Sequence, residues 1–480
     1  MEENPVKKLA LLVAIRAHFP EMFRTASSIL RNGKFDPILV FLGDEDFTDE
    51  LNRCKRVGLR YISNLVKEKE KTNSLNSESS IESPSIGGVG WKQRIKDMPF
   101  LGFLFKKILK IYVSIFVTKS SLFSFFWHIS VIRSRGFIAE RIVEKIKPDV
   151  FIFPNIEIRG ILGQIFWIAR KLGIPTVVVP YAWIMRSELQ SVVTGKSEYQ
   201  VRGVLNRIIS KLYPQWVFKN YLGATAVEIL AMECSGLPTR NPWMSDDLAD
   251  VLALESEAMF LSYTQDGVDP KKCYVTGSAS HDILYASALD KNRKKEQYIV
   301  AFLPPDQTGN HLVGFEFSDY WEMICFFVGT LVSKSPNPVY FSIHPRMKYI
   351  RSALLTKFPE IKIYDGDACE IIPGAQFCIG TLSGILRYVL SCGKPLLYYD
   401  VFNYHMSEYA SVPSVITVNQ KVDFENSAYR MSNDFEYFSQ LNSIAKEYSS
   451  IWGKVDGHAM ERIESLIYSK FLNTGASPAI

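Results

Sequence analysis

A chain of 480 residues with 47% apolar and 13% aromatic side chains has material for two to four packed domains, which excludes a disordered or fibrous protein. A formal charge of +5 spread over that length, with no dense block of Lys and Arg, leaves nucleic acid out of the expected partners, so recognition must be local. Seven cysteines at 54, 234, 273, 325, 369, 378 and 392 show no CxxC spacing and no His-rich neighbourhood, so neither zinc nor a disulfide framework is expected.

The start, Met-Glu-Glu-Asn-Pro, is acidic where a signal peptide would be basic, and the first apolar run, Leu9 to Ile15, is too short to span a bilayer. The expected location is the cytoplasm. That run reads as a buried parallel strand, followed by Arg16-Ala17-His18-Phe19-Pro20 and an amphipathic helix to about Arg31. The strand DPILVFL comes next and ends at Gly43-Asp44-Glu45-Asp46. This opening is a Rossmann-like βαβ without GxGxxG, which argues against a dinucleotide held in the usual way. His18, just past the first strand, puts an imidazole on the sheet's ligand edge as either a general base or a structural group.

From Lys67 to Gly90 the chain turns to Lys, Glu, Ser, Asn and Gly, too polar to order itself by burial. Residues 98–127 are its most hydrophobic stretch, interrupted by Lys106, Lys107, Lys110 and Lys119. Three ammonium groups near mid-span disfavour crossing a bilayer. Two readings stay open: a helix lying in the membrane surface at its inner face, or a core helix with snorkelling lysines. Together these residues form an insertion at about 64–130.

A helix from about Ile132 to Lys145 and a strand from Asp149 to Phe153 restore order, followed by Pro154 to Gly160. Glu157 and Arg159 in this loop are candidates for acid–base work or acceptor binding, or are solvated loop charges. A further βαβ runs through ADVLAL to CYVTG and ends in Gly277-Ser278-Ala279-Ser280-His281-Asp282. The charged segment from Ile283 to Glu296 is the expected linker. It separates an N-terminal Rossmann-like domain, 1–285, from a C-terminal Rossmann-like domain, 286–480. Arg16, Arg159, Gly277 and Ser278 are candidates for the acceptor side.

The second half opens with YIVAFL, Pro304-Pro305-Asp306-Gln307-Thr308-Gly309 and a helix near Phe317 to Val332. Its centre runs from PVYFSI through His344-Pro345-Arg346, Asp365-Gly366, QFCI, Gly380-Thr381-Leu382-Ser383-Gly384 and ILRYVLSC to Gly393-Lys394-Pro395 and LLYYD. Strand-length apolar runs alternating with helical ones are the signature of a parallel sheet, which delivers its loops to one ligand-binding edge. There His344 to Arg346, Gly380 to Gly384 and Asp400 to His405 should converge. Thr381 or Ser383 can cap the next helix, Gly393 can sit past its end, and Pro395 blocks continuation. Hydroxyls and free N–H groups at such a terminus suit a phosphate, on which Arg346 could close. The strand SVITV and helices from about Asp434 to Phe471 complete the chain, the last of which could return to the N-terminal domain.

The run Gly267 to Asp282, GVDPKKCYVTGSASHD, resembles the segment that closes the N-terminal domain of many GT-B glycosyltransferases. The second half, with His344-Pro345, a Glu370-containing helix, CIGTLSGILRYVLSCGKPLLYYD and Tyr404, resembles CDP-glycerol glycerophosphotransferases and capsule or lipopolysaccharide transferases that use CMP-activated acidic sugars. The resemblance implies an α/β GT-B fold, two Rossmann-like domains facing each other across a cleft. It also implies sugar transfer from a nucleotide donor to a surface polysaccharide or glycolipid without metal or cofactor. Nucleotide phosphates would sit on His344, Thr381 and Ser383, with Pro345, Arg346, Gly380, Gly384 and Asp400 around them. His18 in AIRAHFPE is similar to the base of several inverting GT-B enzymes.

The chain departs from that pattern in carrying Thr-Leu-Ser for the paired serine and in lacking the D/E-D/E-G motif of His-Pro sialyltransferases. AIRAHFPE also aligns with the GTRPE of non-hydrolysing UDP-N-acetylglucosamine 2-epimerases through Arg16 and Glu21. An epimerase-like enzyme is therefore the alternative, and a non-catalytic GT-B scaffold the second.

Overall fold

The computed structural model describes residues 6–43, 45–63, 121–184, 186–237, 240–290, 297–308, 315–381, 383–404, 409 and 412–472. The polar stretch 67–90, most of the amphipathic stretch 98–127, and Asp44 and His405 lie outside them.

In chain order the strands are β1 (Lys7–Val13), β2 (Phe35–Phe41), β3 (Arg60–Ile62), β4 (Val150–Phe153), β5 (Thr176–Val178), β6 (Val217–Phe218), β7 (Tyr221–Leu222), β8 (Val251–Leu254) and β9 (Cys273–Val275). They continue as β10 (Tyr298–Leu303), β11 (Val339–Ile343), β12 (Lys362–Ile363), β13 (Ala375–Gly380), β14 (Leu396–Tyr399) and β15 (Val415–Val418). One sheet has the order β3-β2-β1-β4-β5-β8-β9 and another β12-β11-β10-β13-β14-β15, while β6 and β7 form a short antiparallel hairpin. Each large sheet begins in its middle, winds outward one way for three strands, then returns to the centre and winds the other way, a doubly wound order.

Uniform apolar runs become central strands because helices cover both faces of a parallel sheet. Leu9 to Val13 and Ile299 to Ala301 are fully buried on that account. The first crossover helix, Phe19–Asn32, carries Pro20 in its first turn and ends on Gly33 at φ 69°, the left-handed conformation that closes a helix without strain. It buries Met22, Ala26 and Ile29, one stripe at helical spacing. In the second large sheet Phe424 stacks on Phe327 and Tyr399, with ring centroids 5.0 and 4.5 Å away. Aromatic offset packing of this kind adds about 0.5–1.5 kcal/mol per pair beyond burial.

Several boundaries differ from the sequence reading. The helix expected from Ile132 spans Ser121–Ile146, and the one near Phe317 spans Tyr320–Lys334, because Asp319 accepts the Glu322 N–H at 2.7 Å and sets its start. The first six residues of the expected linker, 283–288, belong to the helix Ala279–Ala288, and residues 291–296 lie outside the described ones. Packing divides the chain into residues 1–252 with 263–272, and residues 253–262 with 273–480. Residues 273–285, assigned by sequence to the first domain, thus pack with the second unit. The Asp282 carboxylate accepts the N–H groups of Ala459 and Met460 at 2.8 and 2.9 Å, which caps the helix Ala459–Ile467 and holds that closing helix to the second unit.

Candidate functional site

In the second unit the winding direction reverses between β10 and β13. Register sets Leu303 beside Ile343 and Phe302 beside Gly380, so Pro304, His344 and Thr381 leave three adjacent strands at one level. In open α/β sheets this reversal point opens the crevice that takes ligands.

Thr381 is 1% exposed, and its hydroxyl has no hydrogen-bond partner among the described residues. An unmatched buried hydroxyl costs about 1–3 kcal/mol, so a group that completes it gains by as much. His344 is half-buried and its Nδ1 accepts the Arg346 N–H at 3.2 Å. Burial, with the Arg346 charge adding to it, pushes its pKa down to about 4. The imidazole is therefore neutral at pH 7, with its hydrogen on Nε2, and acts as a donor. The Pro345 and Arg346 side chains are exposed, and Arg346 makes no ion pair among the described residues.

The helix after this turn spans Leu386–Ser391, with Ile385 at its cap position and no side-chain cap. Neither Thr381 nor Ser383 caps it as expected: Ser383 Oγ accepts the Ile385 N–H at 3.5 Å, making a turn before the helix, and Thr381 stays unpaired. Gly393 does follow the end of the helix in the left-handed region. A Cβ at Gly380 would come 2.6 Å from Leu386 Cδ2, so a side chain there would force that leucine to shift. At Gly384 a Cβ would come 2.8 Å from a nitrogen of Arg387. Asp400 is buried and its Oδ1 accepts the Tyr404 N–H at 2.9 Å, so its carboxylate shapes the loop after β14. From that loop Tyr404 donates its hydroxyl to Gln307 Oε1, 3.4 Å away in the loop after β10. Because β13 lies between those strands, the bond passes over the strand end that carries Thr381.

The first unit repeats the topology, with reversal between β1 and β4. His18 is buried, its ring lies edge-on to Tyr181 at 4.5 Å, and its Nδ1 accepts the Ala14 N–H at 3.3 Å. Burial pushes its pKa down to about 4. A general base needs a free lone pair, and this geometry gives His18 an Nε2 hydrogen to donate instead. Arg16 is committed to acidic partners: its backbone N–H donates to Glu45 at 2.7 Å and its guanidinium pairs with Glu50 at 3.1 Å. The loop after β4 is clamped by buried Asp246, which accepts the Ile156 N–H and whose pKa burial raises to about 6. The Glu157 side chain is exposed on that loop, and Arg159 lies 3.6 Å from Glu228.

Gly277 and Ser278, candidates for the acceptor side or the cleft, are buried in the second unit. A Cβ on Gly277, which has a φ of 81°, would come 2.8 Å from Ala459 Cβ. Ser278 is buried and caps the helix Ala279–Ala288, with His281 Nδ1 accepting the Ser278 N–H at 3.1 Å. Among the described residues no cluster of three or more His, Cys, Asp or Glu is placed to hold a metal ion, and no helix is long and apolar enough to cross a membrane.

No protein-family model matches the sequence, and no curated sequence matches it either. Solved structures do resemble it. S. aureus MnaA with UDP bound aligns at a TM-score of 0.53 and 13% identity over 97% of both chains. The Neisseria meningitidis UDP-GlcNAc 2-epimerase bound to UDP-GlcNAc aligns at 0.50 and 11%, covering 96% of this chain and all of that one. CalG4, the calicheamicin glycosyltransferase, aligns at 0.50 and 12%, covering 97% and 99%. The chain has the GT-B fold. Two doubly wound parallel sheets and full-length likenesses to both kinds of protein carry that conclusion.

Within this GT-B chain three features of the second unit's edge had no local signal in the sequence. Tyr320 donates to the Pro304 carbonyl at 2.7 Å and fixes the loop after β10. Buried Glu255 pairs with buried Arg387 directly behind the 380–384 turn, and Tyr388 donates to Glu255 at 3.3 Å. The Tyr404 to Gln307 link is the third. Each joins residues 16 or more positions apart, beyond the reach of a local pattern.

Proposed function

We propose that this GT-B chain is a glycosyltransferase that binds the phosphates of a nucleotide sugar at the β10–β13 edge of its second unit. The observation that carries the reading is the buried, unpartnered Thr381 hydroxyl at the reversal point of the sheet. His344 adds a neutral N–H donor from the adjacent crossover, and Arg346 adds an exposed guanidinium. As an acceptor hydroxyl attacks the anomeric carbon, the carbon–oxygen bond to the phosphate breaks and its electron pair moves onto the phosphate oxygen. Donors that gain strength with that growing charge lower the barrier. The acceptor's proton must pass to a base, for which the exposed carboxylate of Glu157 on the first unit is the candidate. His18 serves there as a hydrogen donor that orients the acceptor.

The donor favoured is a CMP-activated sugar, by the resemblance at His344-Pro345 and despite Thr-Leu-Ser in place of the paired serine, and the acceptor a surface polysaccharide or glycolipid. The epimerase alternative rests on the arginine shared with the GTRPE alignment, Arg16, whose side chain is 53% exposed and pairs with Glu50. Thermal-shift titration with CMP, CDP, UDP and GDP tests the donor class, since a ligand of the native state raises apparent stability by mass action. A rise with CMP or CDP is expected, and a response to UDP alone rejects the CMP assignment. Incubation with the responding nucleotide sugar and no acceptor should leave the sugar unisomerised; a C2-epimerised product rejects transfer.

A further inference from the structure

We propose that the helix Val204–Leu212 is an interfacial anchor that lays the first unit on an anionic lipid bilayer. Val204, Ile208 and Leu212, spaced four apart on one stripe, are 78%, 48% and 62% exposed, while Ile209, about a quarter-turn round from the centre of the stripe, is buried and ties the helix to the domain. Three large apolar side chains on one exposed stripe are not what a helix facing water carries.

The charge around the stripe identifies the occupant. From Tyr199 to Ala224 the chain holds Arg202, Arg207, Lys211 and Lys219 and no Asp or Glu, and all four cations are exposed. An apolar stripe on a helix whose own charged residues, Arg207 and Lys211, are both cations is the pattern of a helix lying in a membrane interface, its aliphatic side chains among acyl chains and its ammonium and guanidinium groups at anionic headgroups. A second helix of the first unit exposes apolar side chains as well. The helix Ser121–Ile146 packs on the helix Ala226–Cys234, as Val204–Leu212 does, and exposes Leu122, Phe126 and Trp127 at its start. Exposed Trp beside Leu and Phe suits the headgroup boundary. This contact is at the surface, because none of the described helices can cross a bilayer. The proposal stands apart from the assignment of the nucleotide site, which lies in the other unit.

Co-sedimentation of the full chain with phosphatidylcholine vesicles, with and without a quarter of phosphatidylglycerol, tests it. Binding to the anionic vesicles should exceed binding to the neutral ones and weaken with salt, because the cations are screened. The triple variant Val204→Ser, Ile208→Ser, Leu212→Ser should bind at least about tenfold more weakly, and Arg207→Glu with Lys211→Glu should lose the preference for phosphatidylglycerol. Thermal melts of both variants should match the parent, since all five side chains are exposed. Failure of the parent to bind anionic vesicles overturns the proposal, as does undiminished binding by the triple variant, which would place the membrane contact elsewhere. A parent dimer in solution that the triple variant converts to monomer overturns it too, by making the stripe an interface between copies.

Discussion

His18, His281 and His344 each accept a backbone N–H at Nδ1, from Ala14, Ser278 and Arg346 respectively, and each is held neutral by its surroundings. Their pKa values are pushed to about 4, 3 and 4, chiefly by burial, against 6.5 in an unfolded chain. Between those limits the unfolded chain binds more protons than the native one, so stability rises with pH and is lost as pH falls from about 6.5 toward 4. Asp246 works in the opposite sense: its pKa is raised to about 6 from 3.8, so below pH 6 the native state holds the extra proton and offsets part of the loss. Three imidazoles outweigh one carboxyl. The melting temperature should therefore drop between pH 7 and pH 5, and Asp246→Asn should make the drop steeper. A flat profile in thermal melts would contradict the assignment of buried neutral histidines. Residue types and their places at strand ends were legible in the sequence for His18 and His344. Their protonation was not, because it depends on burial and on which backbone N–H reaches Nδ1.

The turn from Gly380 to the helix Leu386–Ser391 shows how an element is fixed from both sides. In front, the turn lies against Leu386, and Gly380→Ala should cost about 1–3 kcal/mol by overpacking. Behind it sits the ion pair of Arg387 with Glu255, both buried. Removing one partner of a buried pair leaves an uncompensated charge, so Glu255→Gln should destabilise the second unit by about 3–5 kcal/mol in denaturant melts. A loss under 1 kcal/mol would mean that the pair is not desolvated. The strands β1, β10 and β13 and the helix stop at Gly393 were readable because apolar runs, glycine and proline act locally. The helix start was misread because Thr381 and Ser383 fit both a cap and a turn. Only the packing of Leu386 against the strand end decides between them. The burial of Gly277 and Ser278 was not legible for a related reason: a strand-turn-helix pattern looks the same whether its edge is open or covered by Ala459, some 180 residues later.

At the scale of the whole molecule, two doubly wound sheets each carry a reversal point, and the chemistry-bearing residues read from the sequence gather at both: His18 and Glu157 in the first unit, His344 and Thr381 in the second. The alternation of strand and helix made that organisation legible. The division of the chain was less so, since residues 253–262 and 273–285 belong with the second unit through contacts to its closing helices and to Arg387 and Tyr388. The central claim is that Thr381 is reserved for a nucleotide phosphate. Calorimetric titration of the parent and Thr381→Val with the nucleotide that responds in thermal shift, paired with denaturant melts without ligand, tests it most directly. The account predicts affinity lower by roughly tenfold, the worth of one hydrogen bond to a charged group, with unliganded stability unchanged or raised by up to about 1 kcal/mol because an unsatisfied buried hydroxyl is gone. Equal affinity in the two proteins, or a valine variant less stable without ligand, would contradict it.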